Sequence, residues 1–424
     1  MDTKYLLFNN DFYDYHRIQE KLARYAADGW HLEKITNLYW KFRYGAPETV
    51  RYEVIYSAAA SAYNSQPTEE EQDLAELCAG AGWELAASYA QIQIYRNPDP
   101  NATPLETDEF QKFENIRRNM RRHMIPQQLL TIGLFFVQLL MLGSGLLKDP
   151  AATLSSSVSV YAMVILASVI LEYAIQLAGS LLWLRRARRA VESGQQLPPN
   201  RFYRWFRWVM LGSTLLFVLV IPAVLKPGYG AAILVLGVLV LTASLGTLSL
   251  TKRFGASRSV NFWAPALVTM VVILATSSLL SEVFYLAKPE VEYPLTLTQL
   301  TGENSDGQLN IGVDSSPLVS YGRYYDFGLH NQIQYHLADV HFAPVYDMVH
   351  KEMEQDFLRN QASPGDAPIS DELRELIGAD YLRRNTTFLE DRWLICWGNR
   401  ILYLYADWPL TEAQLEVIAD TLKP

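Results

Sequence analysis

Five long apolar runs, gathered into about 160 consecutive residues between two acidic segments, constrain this chain more than any other feature. They cover roughly 126–147, 158–184, 206–225, 229–250 and 262–286. Each is long enough to cross a hydrocarbon core of about 30 Å as a helix, and backbone groups in lipid must be satisfied within their own segment. The expectation is a membrane all-α bundle of five transmembrane helices, flanked by two soluble α+β domains. Buried helices of a large soluble protein are the competing reading, but five such runs with almost no charge would be exceptional.

Charge divides the chain along the same lines. Residues 1–115 carry 10 Lys/Arg against 19 Asp/Glu, residues 116–286 carry 16 against 4, and residues 287–424 carry 10 against 22. Acidic ends repel a phosphate backbone, which argues against direct nucleic-acid binding. A basic middle suits anionic lipid headgroups, so a lipid bilayer is the first expected partner. Arg117, Arg118, Arg121 and Arg122 precede the first run. Seven arginines from Arg185 to Arg207 separate the second and third, and Lys252, Arg253 and Arg258 separate the fourth and fifth. The alternate connections hold only Lys148 and Lys226. Basic loops stay with the cytosol, which predicts a multi-pass cell-membrane protein with a cytoplasmic N-terminus and an extracytoplasmic C-terminus. Phe202, Tyr203, Trp205, Phe206 and Trp208 read as interfacial anchors of the third run. No apolar core of a cleavable signal peptide appears in the first thirty residues. Cys78 and Cys396 fall on opposite sides of this topology and are not expected to pair.

The domains expected are 1–105, a cytoplasmic α+β repeat domain; 106–125, an amphipathic juxtamembrane helix; 126–286, the spans; and 290–424, an extracytoplasmic α+β domain. In the helix at 106–125, Phe110, Phe113, Ile116, Met120 and Met124 recur at helical spacing opposite the arginines. That pattern fits a helix lying on the membrane or running into it, as a stem or as a lever. Within the first domain a pattern repeats: strand, helix, Gly29-Trp30, hairpin; then strand, helix, Gly82-Trp83, hairpin. Each glycine can end its helix at positive φ, and each tryptophan can pack the helix back on the sheet. Two such β-α-β-β units are expected to share one antiparallel, ferredoxin-like sheet. Trp30, Trp40, Lys41, Arg51 and Trp83 are its candidate partner-binding or fold-defining residues, with Arg43 and Tyr52 beside them; core aromatics and solvated charges are the simpler account of each.

Gly29-Trp30, Trp40-Lys41-Phe42 before Gly45 and Pro47, and Val50-Arg51-Tyr52 together resemble a bacterial membrane-protein family, the domain of unknown function 2812, over about residues 1–100. Membrane spans downstream fit the family's usual architecture. Its members often stand beside PadR-type transcriptional regulators, so the resemblance implies a regulatory role and a PadR-type partner. It implies no catalytic or ligand-binding residue.

Beyond a linker holding Pro289 and Pro294, the last domain reads as a strand at 332–342 and a helix at 345–358 opened by Pro344. A loop follows at 363–368, then a short helix at 371–377 capped by Ser370. A hairpin turns at Gly398-Asn399, and a final helix at 411–422 is capped by Thr411 and Gln414. Phosphate-binding loops, dinucleotide turns, nucleophile elbows and paired metalloprotease histidines are all missing, so no enzyme, cofactor or metal site is expected. His336 and His341 fall on opposite faces of their strand, and the pair His350 and Glu354 is explained by ordinary surface positions. Glu172 is the one carboxyl deep in an apolar run and the candidate intramembrane functional residue; a hydrogen-bonded packing pin is the simpler role. The function expected is a membrane-anchored sensor or regulatory protein, joining an extracytoplasmic domain to a cytoplasmic partner-binding one. A small-molecule transporter or export accessory protein is the alternative.

Overall fold

A computed structural model describes residues 1–424 except 1, 8–14, 37–38, 58–59, 107, 200–205, 207, 211, 214, 216–228, 287–291, 361–364 and 388. It divides into two compact units, residues 1–134 with 169–286 and residues 135–168 with 287–424.

In the first unit the strands β1 (Thr3–Leu7), β2 (Trp30–Ile35) and β3 (Tyr39–Tyr44) form an antiparallel sheet ordered β1-β3-β2 around the helix α1 (Tyr15–Ala27). Next, β4 (Arg51–Tyr56), α2 (Glu69–Gly80), β5 (Glu84–Tyr89) and β6 (Ile92–Asn97) repeat the order as β4-β6-β5. Both units place a register shift two residues after the tryptophan, at Leu32/Lys34 and at Leu85/Ala87. Gly29 and Gly82 both take positive φ, 85° and 81°. The single ferredoxin-like sheet expected from the sequence is not formed. Edge strands β2 and β5 approach each other without hydrogen-bonded pairing. Each carries a bulge, which bends a strand out of the regular ladder that one continuous sheet would need.

Apolar spacing explains the packing. Ile18, Leu22 and Ala26 share a face of α1, one turn apart, and are buried with Phe42, Val54 and Ile94. Phe113, Ile116 and Met120 join that same core from α3 (Glu109–Asn119) and the π-helical turn after it. Trp183 and Ala187 come from α6 (Ser157–Glu192). The apolar face at 106–125 therefore packs on protein. Phe110 remains exposed.

The five-helix membrane bundle is also corrected. Among the described residues, two helices are long and apolar enough to cross a membrane: Glu109–Lys148, which runs through α4 (Ile125–Lys148), and Ser157–Glu192. Crossing requires one unbroken helix carrying about 20 apolar residues, and a hydropathy run does not test continuity. The expected third span at 206–225, with anchors Phe202, Tyr203 and Trp205, lies mostly outside the described residues. Helices α7 (Tyr229–Arg253) and α8 (Arg258–Leu286) cover the fourth and fifth runs and pack on each other, but much of their side-chain surroundings is not described. The apolar windows of the two qualifying helices are 0% buried, whereas a core helix of a soluble domain hides such a face. These two helices associate the chain with a membrane.

In the second unit a six-stranded antiparallel sheet is ordered β10-β11-β12-β9-β8-β7. Its strands are β7 (Gly307–Ser315), β8 (Val319–Phe327), β9 (Gln332–Val340), β10 (Tyr381–Thr386), β11 (Asp391–Trp397) and β12 (Arg400–Ala406). Helices cover both faces. Leu394 and Cys396 of β11 lie in a core with α10 (Tyr346–Arg359) and α5 (Pro150–Ser155). Trp393, Ile395 and Trp397 lie in the opposite core with α9 (Leu297–Thr301), α11 (Asp371–Ile377) and α12 (Glu412–Leu422). Burial on both faces makes β11 almost continuously apolar. Buried Asp391 is held by two hydrogen bonds from Arg384, of 3.0 and 2.8 Å.

The two repeat glycines make a paired test. A Cβ at Gly29 would stand 2.8 Å from the Gly45 carbonyl oxygen, whereas one at Gly82 meets only the Asn97 amide at 3.5 Å. Both alanine variants carry left-handed strain of roughly 1–2 kcal/mol. Gly29→Ala adds a backbone clash and is expected to destabilise the chain more than Gly82→Ala in denaturant titrations followed by tryptophan fluorescence.

Candidate functional site

The second β-α-β-β unit, the second half of α3 and the turn after it line a cleft of about 870 Å³. Its apolar floor is made by Ile55, Leu74, Cys78 and Trp83, and Leu105 comes from the loop before α3. Arg118 and Arg122 stand on its rim, one helical turn apart and both exposed. The lining is mixed: Glu70, Asp99 and Glu106 stand beside Arg118 and Arg122 around the apolar floor, which suits an amphipathic group that carries hydrogen-bonding or charged atoms.

Local sequence explains the walls. Thr68 and Glu71 form a capping box that starts α2. The amide of Trp83 closes the other end by donating to the Cys78 carbonyl at 2.9 Å, which turns the indole under the helix. Burial pushes the Cys78 thiol up, opposed by the Tyr95 hydroxyl, so the group stays a thiol at neutral pH.

The loop from 102 to 106 is tied down from two sides. Arg51 Nη1 donates to the Ala102 carbonyl at 2.8 Å, and Asn115 Nδ2 donates to Glu106 Oε1 at 2.8 Å. A chain of polar contacts continues behind it. Gln19 of α1 donates to Glu53 of β4 at 2.7 Å, and Arg51 pairs with Glu53 at 3.5 Å. Tyr15 donates to Glu109 at 3.3 Å, and Lys112 pairs with Glu109 at 3.1 Å. Burial raises both Glu53 and Glu106, with Lys112 opposing it at each. Of these contacts, Tyr15–Glu109 and Asn115–Glu106 fasten α3 to α1 and to the loop that walls the cavity.

Of the residues singled out in the sequence, Trp83 forms the floor and Arg51 braces the loop. The others lie elsewhere. Trp40 is in the main core, and Trp30 packs edge-on against Tyr44 with Lys4 over its ring. Glu33 takes both Lys41 and Arg43 at 2.9 Å, and Tyr52 is buried. Glu172 accepts a hydrogen bond from Ser213. Cys78, Leu105, Arg118 and Arg122 were not singled out as site residues. The two arginines read as topology signals in the sequence, and nothing there connects them to Trp83.

Fold and cavity together describe a membrane-associated protein whose duplicated α+β domain carries a cavity against the helix leading to its apolar segment. Residues 14–126 match the family described as "Protein of unknown function (DUF2812)", so this segment carries that domain. The match takes in the first repeat from α1 onward, the whole second repeat, all of α3 and both rim arginines. No curated protein and no solved structure matches the chain.

Trp83 is 2% exposed and touches Cys78 through one apolar cluster. Trp83→Ala is expected to cost roughly 3–5 kcal/mol and to open the floor. Alkylation of Cys78 by iodoacetamide, slow in the parent chain, should then accelerate; an unchanged rate would place the thiol outside the cavity.

Proposed function

We propose that this chain is a membrane-anchored regulatory protein whose N-terminal domain binds a soluble partner in the cavity beside α3. The observation that carries the reading is the position of Arg118 and Arg122. They form the cavity rim, and they belong to the helix that continues as apolar α4. Occupancy of the cavity is thereby felt by the helix that enters the lipid.

Topology in this proposal follows the arginines. The clusters at 117–122 and 185–189 keep the N-terminal domain in the cytoplasm and place the connector between α4 and α6 on the opposite face. Further support comes from Asn261 at the head of α8. Its Nδ2 donates to the Tyr63 carbonyl and to Ser65 Oγ, both at 2.8 Å, so the N-terminal domain is fastened to a second apolar helix as well. The partner proposed is an acidic or amphipathic surface of a soluble regulator, of the PadR type that the family resemblance implies. Transport would rest on Glu172, and the hydrogen bond from Ser213 supports a packing role for that carboxyl instead.

A photo-crosslinking residue in place of Leu77, which lines the cavity and is 74% exposed, tests this in cells with the full chain. Capture of a soluble protein is expected, reduced roughly tenfold by Arg118→Ala with Arg122→Ala. Adducts with lipid alone would overturn the proposal. Reporter fusions truncated after the 149–156 connector and after residue 193 test this topology, which fails if both report the same compartment.

A further inference from the structure

We propose that the C-terminal domain grips the connector between α4 and α6 through a proton-dependent carboxyl latch formed by Asp149 and Glu352. The inference concerns the second unit alone and stands apart from the cytoplasmic cavity.

The connector is short and deeply held. Ala151 and Leu154 of α5 are buried in one core with Val319, Tyr321, Met353 and Phe357. Ser316 Oγ donates to the Leu154 carbonyl at 2.5 Å, and Ser157 Oγ donates to the Ser315 carbonyl at 2.9 Å. At the head of α5 two carboxyl groups take the first free amides. Asp149 Oδ1 accepts from the Ala152 amide at 3.0 Å, and Glu352 Oε2 accepts from the Ala151 amide at 2.7 Å. The two carboxyl groups hold the adjacent Ala151 and Ala152 amides, which sets them side by side at the head of α5. Arg323 pairs with Asp149 and also donates to the Tyr321 hydroxyl at 2.9 Å.

Two ionised carboxylates side by side in a half-buried place repel, and one guanidinium offsets only one of them. A single shared proton converts the repulsion into an O–H···O bond. Burial first, then Asp149, pushes Glu352 up to about 8, while hydrogen bonds and Arg323 hold Asp149 below the usual carboxylate range against its own burial.

The other titratable neighbours do not supply a competing switch. Arg323 and Tyr321 on β8 both stay protonated, the tyrosine chiefly because burial raises it. Burial and Arg323 lower His336 on β9 to about 4, so it is neutral above that pH. Asp356 on α10 is raised by burial, with Arg323 and Arg359 opposing, and so acts in the same direction as Glu352.

The sign follows from the proton count. A released Glu352 ionises near its ordinary 4.5, whereas in the latch it holds its proton to about pH 8. Gripping therefore takes up a proton across that window. The grip weakens by up to about tenfold per pH unit as pH rises through it, and levels off above 8. At the acid end it weakens again, once Asp149 is protonated and its ion pair with Arg323 is lost.

Spin labels at Lys148→Cys and Lys351→Cys read the grip by electron–electron distance in the full-length, detergent-solubilised chain. Both positions are exposed, and native Cys78 and Cys396 are buried. At pH 6 one narrow distance is expected. A second, broader population should grow by up to about tenfold per pH unit between 6 and 8. Glu352→Gln removes the titrating charge but keeps an acceptor for the Ala151 amide, so its distribution should stay narrow to pH 9. A parent distribution that does not change between pH 6 and 9 overturns the latch, whether or not the variant folds. So does a Glu352→Gln profile that follows the parent.

Discussion

Burial of Phe113, Ile116 and Met120 in the core of the N-terminal domain is the contact on which the rest of the first unit depends. These residues occupy one face of a helix that becomes, a few positions later, too apolar for water. Trp183 and Ala187 enter the same core from the last turns of α6, which at 36 residues is about 54 Å long and exceeds the thickness of a hydrocarbon layer. The domain is therefore built partly from the ends of the helices that anchor it. Removing the apolar segment would expose this face, so the domain cannot be treated as a bead on a flexible tether.

Both units use a related device around a connecting helix. Carboxyl groups are drawn out of water and held by a limited number of cations and amides. In the first unit Glu53, Glu106 and Glu109 share Lys112 and Arg51 among three elements. In the second, Asp149 and Glu352 share Arg323 and the head of α5. Buried charge of this kind adds little net stability, since desolvation offsets most of the attraction. What it supplies is discrimination between arrangements: a displaced partner leaves a carboxylate without compensation. Helices fastened in this way have a few defined positions, which suits coupling between sites better than continuous flexing does.

Local rules were well written in the sequence. The helix at Asp371–Ile377 with its Ser370 cap, the Gly398 hairpin and the Thr411 capping box all appear where their residues place them. Those signals act within a few residues and do not depend on tertiary context. Strands β7, β8 and β10 left weaker traces. β7 is an exposed edge carrying Gly307, Asn310, Gly312 and Asp314, and β8 is broken by Gly322, so neither shows clean alternation. The separation of the repeat into two sheets was equally invisible, because it rests on bulges in β2 and β5 that no single residue type announces. Five membrane helices were expected, and among the described residues two qualify; the runs at 229–250 and 262–286 are helical, so apolar content there conveyed the helix but not its place in a membrane.

The candidate site shows the same limit at longer range. Trp83 was legible through the repeat, and Arg51 through its place in the family motif. Arg118 and Arg122 carry two meanings, as charges near a membrane and as the rim of a cavity whose floor is about forty positions earlier in the chain. Sequence spacing conveys the first meaning because headgroup attraction needs only charge density near an apolar run. The second needs the fold, since it arises only when α3 packs beside the β4-β6-β5 sheet and brings both arginines and the indole to one cavity. One helix thus meets two environments, the core of the N-terminal domain on one face and, beyond Met124, an apolar segment suited to lipid.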